Sequence, residues 1–401
     1  MALALEGIRV LDFTWVVAGP AATRALADNG AEVIKVERKA GEFVIGTRRA
    51  GLMADLNRNK RSIAINMAVA AGVELAHRLV KVSDIVVDNF SARVMRQWGM
   101  DYQSLTRIKP DIICMSMSGF GHSGPRAHHV SYGPTLQALS GFTMQMADAQ
   151  GRPAGFGYSY ADMAGGYWGA LAALIALWHR RRTGEGQFID LAQFEALVSV
   201  IGPSLLDLTV NRRRQPPPQW NSQEGPAAPH GVYRCRPEGE DADRWVAISV
   251  RSHSDWRRFV AALGSPQWAS DPRFRTLFLR MQNRDLLDHH IEQWTTGQDA
   301  WEAMHILQKA GVAAAVVSNA EDLCVRDPQL GARGFWPTLE LPGGGRTPFA
   351  NLPFRLSETP ASVRTPAPEI DQDRDWVLGS VLGIERAERD ALLAAGAIYP
   401  D

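Results

Sequence analysis

The chain reads IRVLDFTWVVAGPAATRALADNGAEVIKV over residues 8–36, and this stretch decides the fold. Residues 8–13 form an apolar, β-rich run, and residues 31–36 form a second one. Between them a helix is predicted to open beside Pro20 and to close at Gly30. A strand, a helix and a second strand in this order are typical of a βαβ unit, whose two strands lie parallel with a right-handed crossover.

The same alternation continues to about residue 120. Three further β-rich runs alternate with two helical stretches, at 62–65, 69–82, 84–88, 91–107 and 111–116. Repeated βαβ units predict an α/β fold with a mainly parallel sheet. On such sheets ligands bind at the carboxyl ends of the strands, so we expect the site there.

The composition changes twice further along the chain. Residues 1–210 are predicted to form the first part of a large domain, and the proline-rich residues 211–224 to form a linker. Strand and helix patterns in 225–330 predict a smaller α+β domain. Residues 331–401 are predicted to return to the large domain and complete it.

Charge and composition limit the function classes. Lys plus Arg and Asp plus Glu are both 43, so the formal net charge is zero. A general nucleic-acid binder or a protein that binds acidic membranes should carry a basic excess, so neither partner is expected. Hydrophobic residues at 45% and charged residues at 21% are ordinary for a globular protein.

Cysteine spacing and apolar segments indicate the compartment. Cys114, Cys235 and Cys324 are far apart, which predicts neither a disulfide framework nor a zinc site. The start of the chain shows no signal-peptide pattern. The most apolar helix, at 161–178, contains Asp162 and two glycines and is too short for a confident membrane span. We therefore expect a cytoplasmic protein with no membrane partner.

Asp162 lies among small and aromatic residues, at the start of that long apolar helix. Aspartate is a good helix N-cap, so one interpretation is purely structural. Gly165 and Gly166 follow closely, and each glycine inside a helix costs roughly 1 kcal/mol relative to alanine. Glycines would instead suit a site where a ligand approaches the backbone beside a reactive carboxylate. Local features leave both interpretations open.

A series of short motifs, in order along nearly the whole chain, identifies a family. They lie at residues 5–14, 18–20, 30–38, 57–63, 88–90, 119–125, 161–162, 182–187 and 271–274. In this order they resemble the class III CoA-transferases, the group of formyl-CoA transferase and carnitine CoA-transferase, which is related to the 2-methylacyl-CoA racemases. The resemblance implies a large Rossmann-like domain and a smaller α+β domain. It also implies an interlocked-ring dimer, formed either by two identical chains or with a homologous subunit.

The resemblance also implies a mechanism. The nucleophilic aspartate of the family matches Asp162, which would attack an acyl-CoA carbonyl to form a mixed anhydride. The CoA thiolate would then form an aspartyl-CoA thioester, and a free carboxylic acid would enter and reverse the steps. The implied partners are an acyl-CoA and a small acid, with coenzyme A as a substrate. No metal, nicotinamide or flavin is expected.

The site residues implied by the resemblance fall into two groups. Those expected to contact CoA are Val17, Ala18, Arg38, Ile65, Asn66, Met67, Ala68, Asn89, Phe90, Ser91, Arg93, Arg96 and Tyr132. Those expected around the acyl group and the acid are Trp15, Tyr158, Tyr160, Gly165 and Gly166. Arg38 follows the second strand, where a cation would meet a phosphate of CoA.

The chain departs from the family pattern at several positions. Gln97 stands where relatives carry a phosphate-binding arginine, and Arg93 or Arg96 would replace it. Val130 and Trp15 stand where the oxalate-active members carry a lysine and a histidine. These changes predict an acid larger than formate or oxalate, such as a substituted dicarboxylate.

Two alternatives remain within this family, and one rival class is excluded. The racemases use a histidine and an aspartate for proton transfer at Cα, but Tyr132 stands at the histidine position, and His122, His128 and His129 are displaced. A non-catalytic CoA-binding subunit is the second alternative, and the retained Asp162 speaks against it. A dinucleotide-dependent enzyme is excluded because residues 15–20 lack a GxGxxG pattern.

Overall fold

The structure is a computed structural model, which describes residues 2–40, 48–91, 93–148, 150–214, 225–239, 243–341 and 344–400. The described residues divide into two compact units. The first draws on 1–145, 154–216 and 328–401, and the second on 146–153 and 217–327. The first unit is therefore built from segments at both ends of the chain.

Six parallel strands form the sheet of the first unit. They are β1 Arg9–Asp12, β2 Glu32–Glu37, β3 Lys60–Ala64, β4 Ile85–Asp88, β5 Ile113–Ser118 and β6 Phe188–Ala192. Their spatial order is β3-β2-β1-β4-β5-β6, and every neighbouring pair is parallel. The α/β class predicted from the sequence is confirmed. The order reverses between β1 and β4, so a crevice opens at the carboxyl ends of these two strands.

Nine α-helices connect or follow these strands among the described residues up to 214. They are α1 Ala18–Asp28, α2 Arg48–Asn57, α3 Ala70–Lys81, α4 Val94–Gln97, α5 Tyr102–Ile108, α6 Gly133–Leu139, α7 Tyr160–Thr183, α8 Gln193–Val200 and α9 Gly202–Thr209, with a 3-10 turn at Thr143–Gln145. The sequence predicted one helix over 91–107, but the structure has α4 and α5. Gly99 lies between them with a φ of 62°, a left-handed conformation that ends a helix.

The sheet is buried on both faces, and alternate residues face opposite layers. Val10 and Val33 pack with residues of α1 and α7 on one face. Leu11 and Ile34 pack with residues of α3 and α5 on the other face. This alternation follows from the period of two in a strand, and burial on both faces explains the nearly continuous apolar runs in the sequence.

Helix α7 approaches α1 so closely that its contact positions must be glycine. A Cβ atom built on Gly166 would lie 2.6 Å from Cβ of Ala21 and 3.0 Å from the carbonyl oxygen of Ala18. One turn later, a Cβ on Gly169 would lie 2.9 Å from Cε of Met117, on the sheet. The backbones of α1 and α7 are therefore in direct contact, and this packing accounts for Gly166 without a ligand.

The second unit has an antiparallel sheet covered by helices. Its strands are β7 His230–Arg234, β8 Trp245–Ser249 and β9 Ala313–Val316, in that order. Its helices are α10 His253–Ala262, α11 Leu277–Gln282, α12 Arg284–Thr295 and α13 Ala300–Lys309, with 3-10 turns at Gln267–Ser270 and Pro272–Phe274 and a π-helical turn at Asp322–Arg326. This is the smaller α+β arrangement expected from the sequence.

The domain boundaries predicted from the sequence differ in detail from the two units. The predicted small domain covers 225–330, whereas residues 146–153 also group with the second unit. Residues 215–224 of the predicted linker lie outside the described part of the chain.

The described residues from 328 onward belong to the first unit. It contains α14 Pro328–Ala332, the antiparallel pair β10 Thr338–Glu340 and β11 Arg346–Pro348, a π-helical turn at Trp376–Val381, and α15 Arg386–Ala394. Gly383, with a φ of 65°, lies between the π-helical turn and α15. Val377 and Ile398 join the core beneath α3. No helix in the described ranges is long and apolar enough to cross a membrane.

Asp88 is a buried carboxyl at the carboxyl end of β4, where only 4% of the residue is exposed. It accepts hydrogen bonds from Oγ of Ser116 and from the backbone N–H of Phe90, the latter at 3.1 Å. Burial raises the pKa of Asp88 to about 6, and the two hydrogen bonds oppose this shift without cancelling it. Asp88 therefore costs stability when it is ionised.

Asp88→Asn should make stability less dependent on pH. Because the pKa of Asp88 is higher in the folded state than in the unfolded state, the folded protein binds the proton more tightly between about pH 4 and pH 6. The free energy of unfolding of the wild type therefore falls as the pH rises through this window. At pH 7.5 the variant should have a higher melting temperature than the wild type, and its free energy of unfolding should be higher by up to about 3 kcal/mol. This gain should shrink at pH 4.5.

Differential scanning calorimetry at the two pH values measures this difference. The matched control is Asp375→Asn, because the Asp375 side chain is 90% exposed and its removal should give no comparable pH-dependent gain. An equal gain for Asp88→Asn at both pH values would contradict the raised pKa.

Gly166→Ala should destabilise the protein by about 1–3 kcal/mol, because the added methyl group overlaps α1. The control is Gly51→Ala in α2, where an added Cβ meets nothing within 4 Å. Removing a helical glycine there should be neutral or stabilise the protein by up to about 1 kcal/mol. Thermal unfolding of both variants tests the contact, and equal effects would show that α7 does not pack on α1 in this way.

Candidate functional site

Asp162 lies in the first turn of α7, but it does not cap this helix. Helix α7 begins at Tyr160, and its N-cap residue is Ser159. The backbone N–H of Tyr160 donates to Oε1 of the buried Gln137 at 2.7 Å, so the cap comes from α6. The capping interpretation drawn from the sequence is therefore wrong. The Asp162 carboxyl instead accepts a hydrogen bond from Oγ of Ser159.

The surroundings of Asp162 destabilise its charge. Burial raises the pKa of the Asp162 carboxyl, and the hydrogen bond from Ser159 opposes this shift without cancelling it. Gly133, the first residue of α6, lies directly against this pair, since a Cβ there would be 2.7 Å from Oδ2 of Asp162 and 1.6 Å from Oγ of Ser159. No sequence pattern singles out Gly133. The carboxyl therefore sits in a narrow site between the first turns of α6 and α7.

The two glycines after Asp162 are packing positions. Both are buried, and a Cβ on Gly165 would lie 3.0 Å from Cγ of Gln193 in α8. Their N–H groups lie beyond the first turn of α7, where helical N–H groups bond to the preceding turn. Helix packing accounts for Gly165 and Gly166, so the oxyanion of a reaction at Asp162 needs another donor.

Aromatic side chains surround the start of α7. Tyr160 is 41% exposed and stacks on Phe142, with ring centroids 5.0 Å apart. Tyr158 is 51% exposed. Burial raises the pKa of Tyr158, and the charges of Asp55 and, more weakly, Asp162 add to this shift. The Tyr158 hydroxyl therefore lies within electrostatic range of Asp162.

A cavity of about 420 Å³ opens at the carboxyl ends of β1 to β4. It is lined by the last residues of β2, by residues that follow the four strands, by Trp98 after α4 and by Tyr399 near the end of the chain. The lining residues predicted from the sequence are Trp15, Arg38, Ile65, Asn66, Met67, Ala68 and Phe90. The lining residues that the sequence analysis missed are Phe13, Thr14, Lys35, Val36, Glu37, Trp98 and Tyr399. Parallel topology brings them together, as expected for an open α/β sheet.

Asn89 connects the loops after β1 and β4, on the two sides of the crevice. Its Oδ1 accepts from the backbone N–H of Trp15 at 3.0 Å, and its Nδ2 donates to the Trp15 carbonyl at 2.8 Å. The Trp15 ring lies 5.9 Å from Phe90, whose ring lies 5.7 Å from Trp98. Asn89 thus holds an aromatic wall of the cavity in place.

The remaining predicted residues lie elsewhere. Val17 and Ala18 are buried at the start of α1, so only their backbone is a candidate for ligand contact. Ser91, Arg93 and Arg96 are exposed in and before α4, and Tyr132 is the N-cap residue of α6 and is 64% exposed. None of these residues lines the cavity. Among the described residues, no group of three or more His, Cys, Asp and Glu side chains is placed to hold a metal ion.

Comparison with known proteins places this chain in a family. The chain is 31% identical to a succinate–glutarate CoA-transferase of Agrobacterium fabrum, over 95% of this chain and 96% of the relative. It is also 31% identical to a succinyl-CoA:mesaconate CoA-transferase of Haloarcula marismortui, over 96% of this chain and 99% of the relative.

Solved structures and family models agree with these relatives. The crystal structure of a CAIB/BAIF family protein from Brucella suis superposes with a TM-score of 0.84 at 29% identity, covering 97% of this chain and all of the other. The model of CoA-transferase family III matches residues 5–374. The resemblance drawn from the motifs is confirmed, and the chain belongs to CoA-transferase family III.

Proposed function

We propose that this protein transfers coenzyme A from an acyl-CoA thioester to a free carboxylic acid, with Asp162 as the nucleophile. The observation that carries the proposal is the state of Asp162. Burial destabilises the charged form of its carboxyl, which lies in the first turn of α7 and accepts a side-chain hydrogen bond from Ser159. A poorly solvated carboxylate is a better nucleophile than one that is surrounded by water.

The proposed reaction splits one transfer into two similar exchanges. A carboxylate oxygen of Asp162 attacks the thioester carbonyl, the C–S bond breaks, and CoA leaves as a thiolate. The thiolate attacks Cγ of Asp162 in the mixed anhydride. The bond between Cγ and the bridging oxygen breaks, and the first acid leaves as a carboxylate. The second acid reverses these steps with its own carboxylate, so that no net proton or electron transfer is needed.

Ser159 is the candidate donor for the charge that develops on Asp162. Its Oγ already donates to Oδ2 of Asp162. When the thiolate adds to Cγ, negative charge collects on a carboxyl oxygen, and a donor already in place stabilises it without rearrangement. The backbone N–H groups of Gly165 and Gly166 bond within the helix, so they are not available for this role.

The cavity at the ends of β1 to β4 is the proposed CoA site. Aromatic and aliphatic side chains suit the adenine and the pantetheine arm, and Arg38 supplies positive charge for the phosphates. In this proposal Arg93 and Arg96, which lie outside the cavity wall, contact only the outer phosphates of CoA.

For the acids, we propose succinyl-CoA as the donor and a dicarboxylate as the acceptor. Both relatives described above are named for dicarboxylates, namely succinate, glutarate and mesaconate. Trp15 and Val130, which replace polar residues of the oxalate-active members, fit a larger acid. The racemase alternative has less support, because the residue at the family histidine position is Tyr132.

We also propose that a second copy of the chain covers the outer face of α7. This face carries a stripe of exposed large apolar side chains, at 42–61% exposure: Tyr167, Trp168, Leu171, Leu174, Ile175 and Trp178. Their spacing follows one side of a helix, and contiguous apolar surface of this kind marks an interface. A homologous subunit as the partner remains the alternative.

Asp162→Asn should abolish transfer of CoA from succinyl-CoA to glutarate or mesaconate. The amide keeps the shape and the hydrogen bond from Ser159 but cannot act as the nucleophile, so kcat should fall at least about 1,000-fold. Chromatography of the new acyl-CoA measures the rate, and Asp375→Asn, at an exposed carboxylate, should keep wild-type activity.

Two outcomes would contradict the proposal. Full activity of Asp162→Asn would remove Asp162 as the nucleophile. Deuterium exchange at Cα of a 2-methylacyl-CoA by the wild type, without any transfer to the acids, would assign the protein to the racemase chemistry.

A further inference from the structure

The end of the chain forms one wall of the cavity. Tyr399 lines this cavity together with residues that follow β1 to β4. It lies beyond residue 374, the last position that the family model matches. Tyr399 is partly buried, so some of its ring remains accessible.

The tail is held in place immediately before Tyr399. Ala397 and Ile398 are buried, and Ile398 belongs to the core beneath α3. The backbone N–H of Asn66 donates to the Ala397 carbonyl at 2.8 Å, and Nδ2 of Asn66 donates to the Gly396 carbonyl at 3.0 Å. Asn66 itself lines the cavity. The wall after β3 therefore positions the tail directly.

A second contact fixes the tail on the other side of Tyr399. Nζ of Lys39, in the loop after β2, donates to the carbonyl of Pro400. The residues before and after Tyr399 are thus attached to the loops that follow β3 and β2. The orientation of Tyr399 is a consequence of these contacts.

The strand order shows which part of a long ligand Tyr399 would meet. The order is β3-β2-β1-β4, and the tail contacts the loops after β3 and β2. Trp15 follows β1, and Phe90 follows β4. Helix α1 also follows β1, and α7 packs on it. The loops after β3 and β2 lie three and two strand spacings of about 4.8 Å from β4, so the tail lies roughly 10–14 Å from the β4 end of the cavity.

This position suits the nucleotide end of CoA, since the acyl end must reach Asp162. Adenine is the aromatic group of CoA, and aromatic side chains bind bases by stacking on their flat faces. Arg38 lines the same part of the cavity, after β2, and provides a cation for the adjoining phosphates. An aromatic ring beside a cation matches the chemistry of an adenosine phosphate.

We propose that Tyr399 stacks on the adenine of CoA, so that the C-terminal tail is part of the nucleotide-binding site. This inference rests on the proposed CoA-transferase function. The ring of Tyr399 carries the interaction, and its hydroxyl does not.

Isothermal titration calorimetry with CoA tests the proposal on the full-length protein. Tyr399→Ala and Tyr399→Leu should weaken CoA binding about tenfold, because neither side chain has an aromatic face. Tyr399→Phe should bind CoA as the wild type does. Leucine fills most of the space of the ring, so it separates stacking from packing. Equal melting temperatures of the variants show that the fold is intact.

A second comparison locates the effect on the ligand. In kinetics with succinyl-CoA, Tyr399→Ala should raise KM about tenfold and leave kcat unchanged. With succinyl-pantetheine, which lacks the adenosine and its phosphates, the variant and the wild type should have the same KM. An equal loss with both thioesters would overturn the proposal, as would wild-type affinity of Tyr399→Ala or Tyr399→Leu for CoA.

The two proposals fail in different ways. If the wild type does not bind CoA, the proposed function itself is wrong, and this inference falls with it. If the wild type binds CoA and Tyr399→Ala binds it equally well, only the role of Tyr399 is wrong.

Discussion

The direct contact between the backbones of α1 and α7 is the constraint on which the rest of the site depends. It exists because Gly166 meets Ala18 and Ala21 where no side chain would fit. Asp162 is one turn before Gly166 in α7, so the contact determines where its carboxyl lies. Met163 packs against the cluster of Val17, Ala21 and Leu56, so the start of α7 lies beside the start of α1. A shift of α7 would move the proposed nucleophile away from the cavity.

Buried charges hold the loop after β1 from beneath. Oδ2 of Asp12, at the end of β1, pairs with Nζ of Lys60 at 3.2 Å, and its Oδ1 accepts from Oγ of Thr14 at 2.6 Å. Nζ of Lys35 donates to the Thr14 carbonyl at 2.8 Å. Burial alone would raise the pKa of Asp12, but Lys60, Lys35 and the hydrogen bonds from Thr14 and Thr23 together outweigh it and hold that pKa below its usual value. Charged groups of three strands thus converge beneath the cavity and fix the start of α1.

The structural features that the sequence predicted correctly are those that depend on local sequence patterns. Alternating β-rich and helical runs predicted the parallel sheet and a ligand site at the carboxyl ends of its strands, where the cavity lies. The family resemblance implied Arg38 and residues 65–68 as ligand contacts, and these residues line that cavity. These predictions succeed because parallel strands all end at one edge of the sheet.

The parts that the sequence did not predict depend on contacts between distant residues. Gln137 caps α7 from another helix, so the capping interpretation of Asp162 is wrong although aspartate is a good cap. Gly133 and Tyr399 reach the site only through tertiary packing. Gly165 and Gly166 correctly indicated that another group approaches the backbone of α7 closely. The groups that approach are α1 and Gln193, whereas the sequence had suggested a ligand.

The central claim is that Asp162 becomes covalently attached to coenzyme A during transfer. The most direct measurement is mass spectrometry of the protein after brief incubation with succinyl-CoA, followed by peptide mapping. We expect an added mass equal to CoA less one water on the peptide that contains Asp162. Hydroxylamine should convert this aspartyl-CoA thioester to the hydroxamate. A protein that turns over succinyl-CoA and acid while CoA is never attached, or is attached at another residue, would contradict it.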